Sequence, residues 1–142
     1  MDVGQDKGGL CWRLLLGQIR YEFTLGSPDD ARTSICHCRN CKKFTGGESG
    51  VTIKIPKNAF RITQGKTTEH IMDDGSGTNL HREFCGTCGG PILEYGDPAA
   101  DKQRYFWGTL DEPDALPPKG EFFCKDRAGW MPEIKGKQKI KD

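Results

Sequence analysis

The chain has 142 residues, with 21 Lys and Arg against 20 Asp and Glu, for a formal net charge of +1. That length suits one ordinary domain rather than two. The charge balance excludes a nucleic-acid module driven by a basic excess and an acidic disordered chain. Seven cysteines and 19 glycines are the informative part of the composition.

Periodicity predicts short strands. Ile19, Tyr21, Phe23 and Leu25 alternate with Arg20, Glu22 and Thr24, the pattern of a half-buried strand. A helical turn or two fits Arg39 to Phe44. Val51, Ile53 and Ile55 alternate with Thr52 and Lys54 until Pro56 ends the run. Phe60–Thr63 is a shorter candidate. Leu80, Arg82 and Phe84 alternate with His81 and Glu83. Ile92–Tyr95, Tyr105–Leu110 and Glu121–Cys124 follow. Glycine- and proline-rich breakers separate these runs, and Asp74–Thr78 reads as a hairpin turn. Lysines at 135, 137, 139 and 141 mark residues 135–142 as a solvated, frayed tail.

No run reaches the roughly 18 apolar residues that a membrane helix needs. The start of the chain lacks the basic residues and unbroken apolar centre of a secretory signal. The expectation is a cytoplasmic protein without a membrane. In a reducing compartment its cysteines serve as metal ligands or reactive thiols rather than disulfides.

Two cysteine clusters carry the chemistry. Cys36-His37-Cys38-Arg39-Asn40-Cys41 is a C-x-C-x-x-C cluster, and its three thiols can turn inward around one ion. Cys85-Gly86-Thr87-Cys88-Gly89-Gly90 has the shape of a zinc knuckle. A closed structural zinc takes four ligands, so five thiols leave two arrangements. Either one site has a spare thiol, or there are two sites, and the first keeps an open position. A zinc with three thiolates is net −1, a poor generator of hydroxide. It is better matched to a substrate thiol as the fourth ligand. Arg39, Lys42 and Lys43 lie beside the cluster, either as a solvated basic face or to offset its charge and take the carboxylates of an acidic thiol. Arg127 is a further candidate carboxylate clamp, with a structural ion pair as the alternative. His37 reads as a packing or supporting residue, Cys124 as a core thiol, and Trp107 and Trp130 as core first of all. His70 and His81 are expected to face solvent.

These residues resemble the glutathione-dependent formaldehyde-activating enzymes, which share a domain with centromere protein V. The matching segments are Gly17–Glu22, Cys36–Gly46, Phe84–Gly89, Gly108–Asp111 and Arg127–Trp130. The resemblance implies a mainly β, β-tent fold of short strands with zinc knuckles, in a domain spanning 10–134. It implies a catalytic zinc on Cys36, Cys38 and Cys41. It implies a structural zinc on Cys85 and Cys88 together with an earlier C-x-C pair. The implied activity is carbon–sulfur lyase chemistry, the reversible addition of glutathione to formaldehyde. The alternatives are a non-catalytic zinc-stabilised binding module and a relative acting on a larger metabolite. One departure stands out: Leu14 and Leu16 occupy the place of the early cysteine pair, and Cys11 falls three residues too early. One zinc is therefore expected, with the second in question.

Overall fold

The computed structural model describes residues 4–6, 9–16, 18–136 and 138–141, and side chains within 18–136. Its strands are β1 (Gly4–Asp6), β2 (Gly9–Leu16), β3 (Ile19–Leu25), β4 (Arg32–Cys36), β5 (Gly50–Pro56), β6 (Phe60–Gln64), β7 (Thr68–Asp73), β8 (Asn79–Phe84), β9 (Pro91–Tyr95), β10 (Lys102–Phe106), β11 (Gly120–Phe122) and β12 (Gln138–Lys141). The α-helix among the described residues is α1 (Arg39–Thr45). No described helix is long and apolar enough to cross a membrane.

The strands form two open sheets, and the fold is mainly β, as the β-tent resemblance implied. One has the order β1-β2-β3-β6, the other β12-β11-β4-β5-β10-β9-β8-β7. Alternation explains how they pack. On β3, Ile19, Tyr21, Phe23 and Leu25 are buried while Arg20 and Thr24 face out. Ile53 and Ile55 of β5 and Tyr105 of β10 are fully buried in the same core. The Phe60 and Tyr105 rings stand 4.4 Å apart, so the small sheet rests on the middle of the large one. Removing that apolar surface from water is the main stabilising term.

The structure departs from the periodicity reading in several places. β4 and β7 carry no alternation that would announce them. β10 begins at Lys102 and ends at Phe106, because Trp107–Thr109 turns into a 3-10 helix. Thr109 Oγ1 donates to the Phe106 carbonyl at 2.7 Å and holds that turn. β11 likewise stops at Phe122. Trp130 is not in the core but 75% exposed, whereas Trp107 is half-buried and donates to the Leu116 carbonyl at 2.9 Å. His81 stacks on Tyr95 at 4.9 Å and bonds Glu69, while His70 is exposed. Cys124 is buried as expected. The backbone of Gln138–Lys141, in the stretch read as a tail, pairs in parallel with β11. Gly17, Lys137 and the side chains of Cys11, Leu14, Leu16, Lys139 and Lys141 lie outside the described residues.

Candidate metal centre and the cavity above it

Three local features bring the first cysteine cluster together. Cys36 is the last residue of β4, and Cys38 is the N-cap of α1. Cys41 lies in the first turn of α1, and its amide donates to Cys38 Sγ at 3.3 Å. A thiol thus fills the capping place usually taken by Ser, Thr, Asp or Asn. α1 closes on Gly46 at φ 69°, whose amide bonds the Lys42 carbonyl. β5 passes close beneath, with Gly50 opposite Cys36. A Cβ at Gly50 would lie 3.2 Å from Cys41 Cβ and 3.4 Å from its sulfur. Glycine here is what lets Cys41 sit down onto the sheet.

The three sulfurs all lie within 4.8 Å of one another, and all three residues are half-buried. The Cys36 thiol is lowered to about 6, chiefly by a hydrogen bond from Cys41 that outweighs burial, with further bonds from Cys38. Cys41 is raised because it donates to Cys36 and is buried, and burial raises Cys38. The cluster is therefore a thiolate solvated by two thiols. A soft divalent cation suits it, since it can replace those two protons and leave a coordination position facing the cavity.

That cavity has a volume of about 640 Å³, within the range of small-molecule sites. Four cationic residues line it: Arg39, Arg82, Arg104 and Lys125. Arg82 of β8, Glu94 of β9 and Arg104 of β10 are cross-strand neighbours. Arg82 Nε donates to Glu94 Oε2 at 3.4 Å, and its guanidinium lies 4.1 Å over the Phe44 ring of α1. Arg104 lies 5.9 Å over Phe122. Phe123, also on the wall, has φ 54° and ψ 51°, a left-handed conformation rare for a bulky side chain. It turns the chain from β11 into the 3-10 turn Cys124–Asp126. α1 is tied to the rim at two points. Asn40 Nδ2 donates to the Asp74 carbonyl at 2.6 Å, and Lys42 Nζ donates to the Asp126 carbonyl.

Beneath the cluster lies a buried polar group. His37 faces away from the cavity, and its amide bonds the Phe122 carbonyl at 3.1 Å. Its Nε2 lies 2.9 Å from Glu121 Oε1, and Arg127 donates to the same oxygen at 2.9 Å. Burial would raise the Glu121 carboxyl, but the bonds and charges of His37 and Arg127 prevail and lower it. An ionised carboxylate only accepts, so His37 Nε2 carries the proton.

Of the residues singled out in the sequence, Cys36, Cys38, Cys41 and Arg39 meet at the cavity. Lys42 is held on the Asp126 carbonyl, and Lys43 is exposed; neither lines the cavity. Arg127 is bound to Glu121. Cys85 and Cys88 lie elsewhere, and Cys85 lines a second cavity. The five thiols therefore form two places, not one. Arg82, Arg104, Lys125 and Glu121 were not singled out. Arg82 shares the alternating set of Leu80 and Phe84, and Arg104 falls just before the predicted run Tyr105–Leu110, so neither position stood out in the sequence.

The sequence pattern of the family described as glutathione-dependent formaldehyde-activating enzyme matches residues 10–126. No curated protein matches the chain significantly. Among solved structures, it is similar in fold to a Rhodobacter sphaeroides protein determined as a structural-genomics target. The TM-score is 0.51 at 17% identity, over 72% of this chain and 88% of the other. With the match spanning most of its length, the chain belongs to the glutathione-dependent formaldehyde-activating enzyme family.

Proposed function

We propose that the protein catalyses reversible addition of a small acidic thiol, glutathione or one like it, to formaldehyde or a related small carbonyl. Zinc held by Cys36, Cys38 and Cys41 would supply a soft centre that takes the substrate sulfur and keeps it deprotonated. The observation that carries this reading is the convergence of three thiols on a cavity lined by four cationic side chains. In the reaction the thiolate sulfur forms a bond to the carbonyl carbon. The π pair moves to oxygen, which takes a proton, and a hydroxymethyl thioether results. The reverse step breaks the same carbon–sulfur bond, which makes the enzyme a lyase.

The protein's own groups bind and orient. Arg104 and Lys125 offer cations to the thiol's carboxylates, and Phe122 and Phe123 wall the site. Arg82 is already shared with Glu94 and fixes that wall. Cys41 sets the geometry of the thiol cluster from α1, with Gly50 as its floor.

The test is exchange between free formaldehyde and the hydroxymethyl adduct, followed by NMR with protein carrying about one zinc per chain. The expected result is exchange well above the uncatalysed rate. Unchanged exchange would defeat this reading for the substrate pair and favour a non-catalytic zinc-stabilised module. Arg104→Ala combined with Lys125→Ala should raise KM for glutathione about threefold to tenfold at low salt and less at high salt, because partly exposed charges are screened. Gly50→Ala should weaken zinc retention about tenfold in a chelator competition, since the new methyl displaces Cys41.

A further inference from the structure

The second cysteine pair occupies a turn shaped for sulfur but short of ligands. Cys85 follows β8, and the chain returns to β9 past Cys88. Two backbone bonds close the turn, Gly89 N to Cys85 O at 2.7 Å and Cys85 N to Gly90 O at 2.9 Å. A Cβ at Gly86 would stand 2.5 Å from Thr68 Oγ1, so glycine lets the turn lie against β7. Cys85 is 1% exposed, and Cys88 is exposed.

A closed zinc site needs four donors. Among the described residues, no third Cys, His, Asp or Glu joins this pair. The adjoining cavity is lined by Gln18, Gln64, Lys66 and Thr68 among others, with no further residue of those types. The register positions nearest the Gln18 turn belong to Leu16, Leu15 and Leu14, opposite Ile19, Arg20 and Tyr21. Cys11 is paired with Thr24, about 17 Å of strand beyond Leu16. Among the described residues, the donors do not make up a closed metal site.

We propose that Cys85 and Cys88 are instead a redox dithiol that exchanges with a small acidic disulfide of the glutathione disulfide class. Cys88, the exposed member, gives up its proton and attacks one sulfur of the disulfide. A protein–ligand disulfide forms, the ligand's own S–S bond breaks, and one ligand thiolate leaves. The Cys85 sulfur, buried in the same turn, then attacks the Cys88 sulfur. The Cys85–Cys88 bond forms and the second ligand thiolate leaves. Two protein thiols are oxidised, the disulfide is reduced to two thiols, and the cysteines' two protons end on the released sulfurs. Excess ligand thiol runs the sequence backwards. The cavity of about 480 Å³ is lined by Cys85, Gly86 and Thr87 of the turn but not by Cys88, and to a disulfide reaching into it from Cys88 it offers the Lys66 ammonium for a carboxylate and the Gln18 and Gln64 amides for peptide groups. None of this depends on the chemistry at Cys36, Cys38 and Cys41.

The experiment equilibrates the full chain in glutathione buffers of graded oxidised-to-reduced ratio. The thiols are then trapped by alkylation under denaturing conditions, and the peptide carrying residues 85–88 is weighed. That peptide should lose two hydrogens and escape alkylation through a single midpoint. Cys88→Ser, a change at an exposed position, should abolish glutathionylation of this peptide, whereas Cys85→Ser should trap one glutathionyl group on Cys88. Lys66→Glu should slow exchange with glutathione disulfide about threefold and leave exchange with an uncharged disulfide unchanged. The proposal is overturned if both sulfurs are alkylated at every ratio. It is equally overturned if the purified chain carries two zincs and Cys88→Ser reduces that to one.

Discussion

Cys38→Ser should abolish turnover while leaving the fold intact, and that separation is the sharpest test of the proposed centre. Cys38 is both a member of the three-thiol cluster and the N-cap of α1, where its sulfur accepts the Cys41 amide. Serine is among the best N-caps, so the oxygen keeps the second role. It cannot keep the first, because a hydroxyl is a far harder and weaker ligand than a thiolate. Compared metal-free, wild type and variant should melt within about 4 °C of each other, a difference of about 1 kcal/mol for a domain of this size. Comparison of the zinc-loaded proteins would mix in the stabilisation that binding itself provides. Zinc per chain should fall well below one, and adduct exchange should fall at least about 100-fold, beyond the loss typical of a residue that merely supports a ligand. With cobalt in place of zinc, the sulfur-to-metal charge-transfer band should grow on adding glutathione to wild type and stay flat in the variant. A Cys38→Ser protein that keeps its metal and its rate would remove this cluster from the mechanism.

The cluster was legible in the sequence because its ligands are local. Cys36, Cys38 and Cys41 converge through a strand end, a cap and a first helical turn, all set by a few consecutive residues. The cavity above them was not, because it is assembled across the sheet. Arg82 and Arg104 become neighbours only when β8, β9 and β10 pair, with Glu94 between them. In the sequence Arg82 sits in the alternating set of Leu80 and Phe84, and Arg104 lies just outside the run Tyr105–Leu110. Strands split along the same line. β3 has one wet and one dry face, and the alternation states it, whereas in β5 Thr52 is buried along with Ile53 and Ile55 and only Lys54 is exposed. β4 buries Thr33 and Ser34 beside Ile35, so polar residues occupy dry positions and the period vanishes. β7 is an edge strand exposed along its whole length, and so it has no dry face to announce it. The second cysteine pair shows a different limit. Its spacing is that of a zinc knuckle, yet spacing cannot say whether the remaining donors arrive from β2.

The buried carboxylate under the centre carries the second large effect. Glu121 is fully buried, and its Oε1 takes hydrogen bonds from both His37 and Arg127. His37 stands between two cluster residues, so Glu121 anchors the strand end that presents Cys36 and the cap that presents Cys38. Glu121→Ala should destabilise the domain by about 3 kcal/mol in urea unfolding, since it strands the His37 and Arg127 donors. The figure is at the low end for a broken buried pair because the Arg127 side chain is 14% exposed and keeps some contact with water. Glu121→Gln preserves shape and one acceptor, so it isolates the charge. The carboxyl is lowered in the folded protein, so its contribution is fully present above the ordinary carboxylate range. It is lost as pH falls through the lowered folded value. Wild type should therefore exceed Glu121→Gln in stability at neutral pH, and the two curves should converge in acid. Zinc retention should fall in step, because a His37 ring held by a neutral amide oxygen fixes the backbone between the two sulfurs less firmly than one held by a carboxylate. A Glu121→Gln protein that matches wild type in both stability and zinc affinity at neutral pH would show that hydrogen-bonding shape, not charge, holds the centre in place.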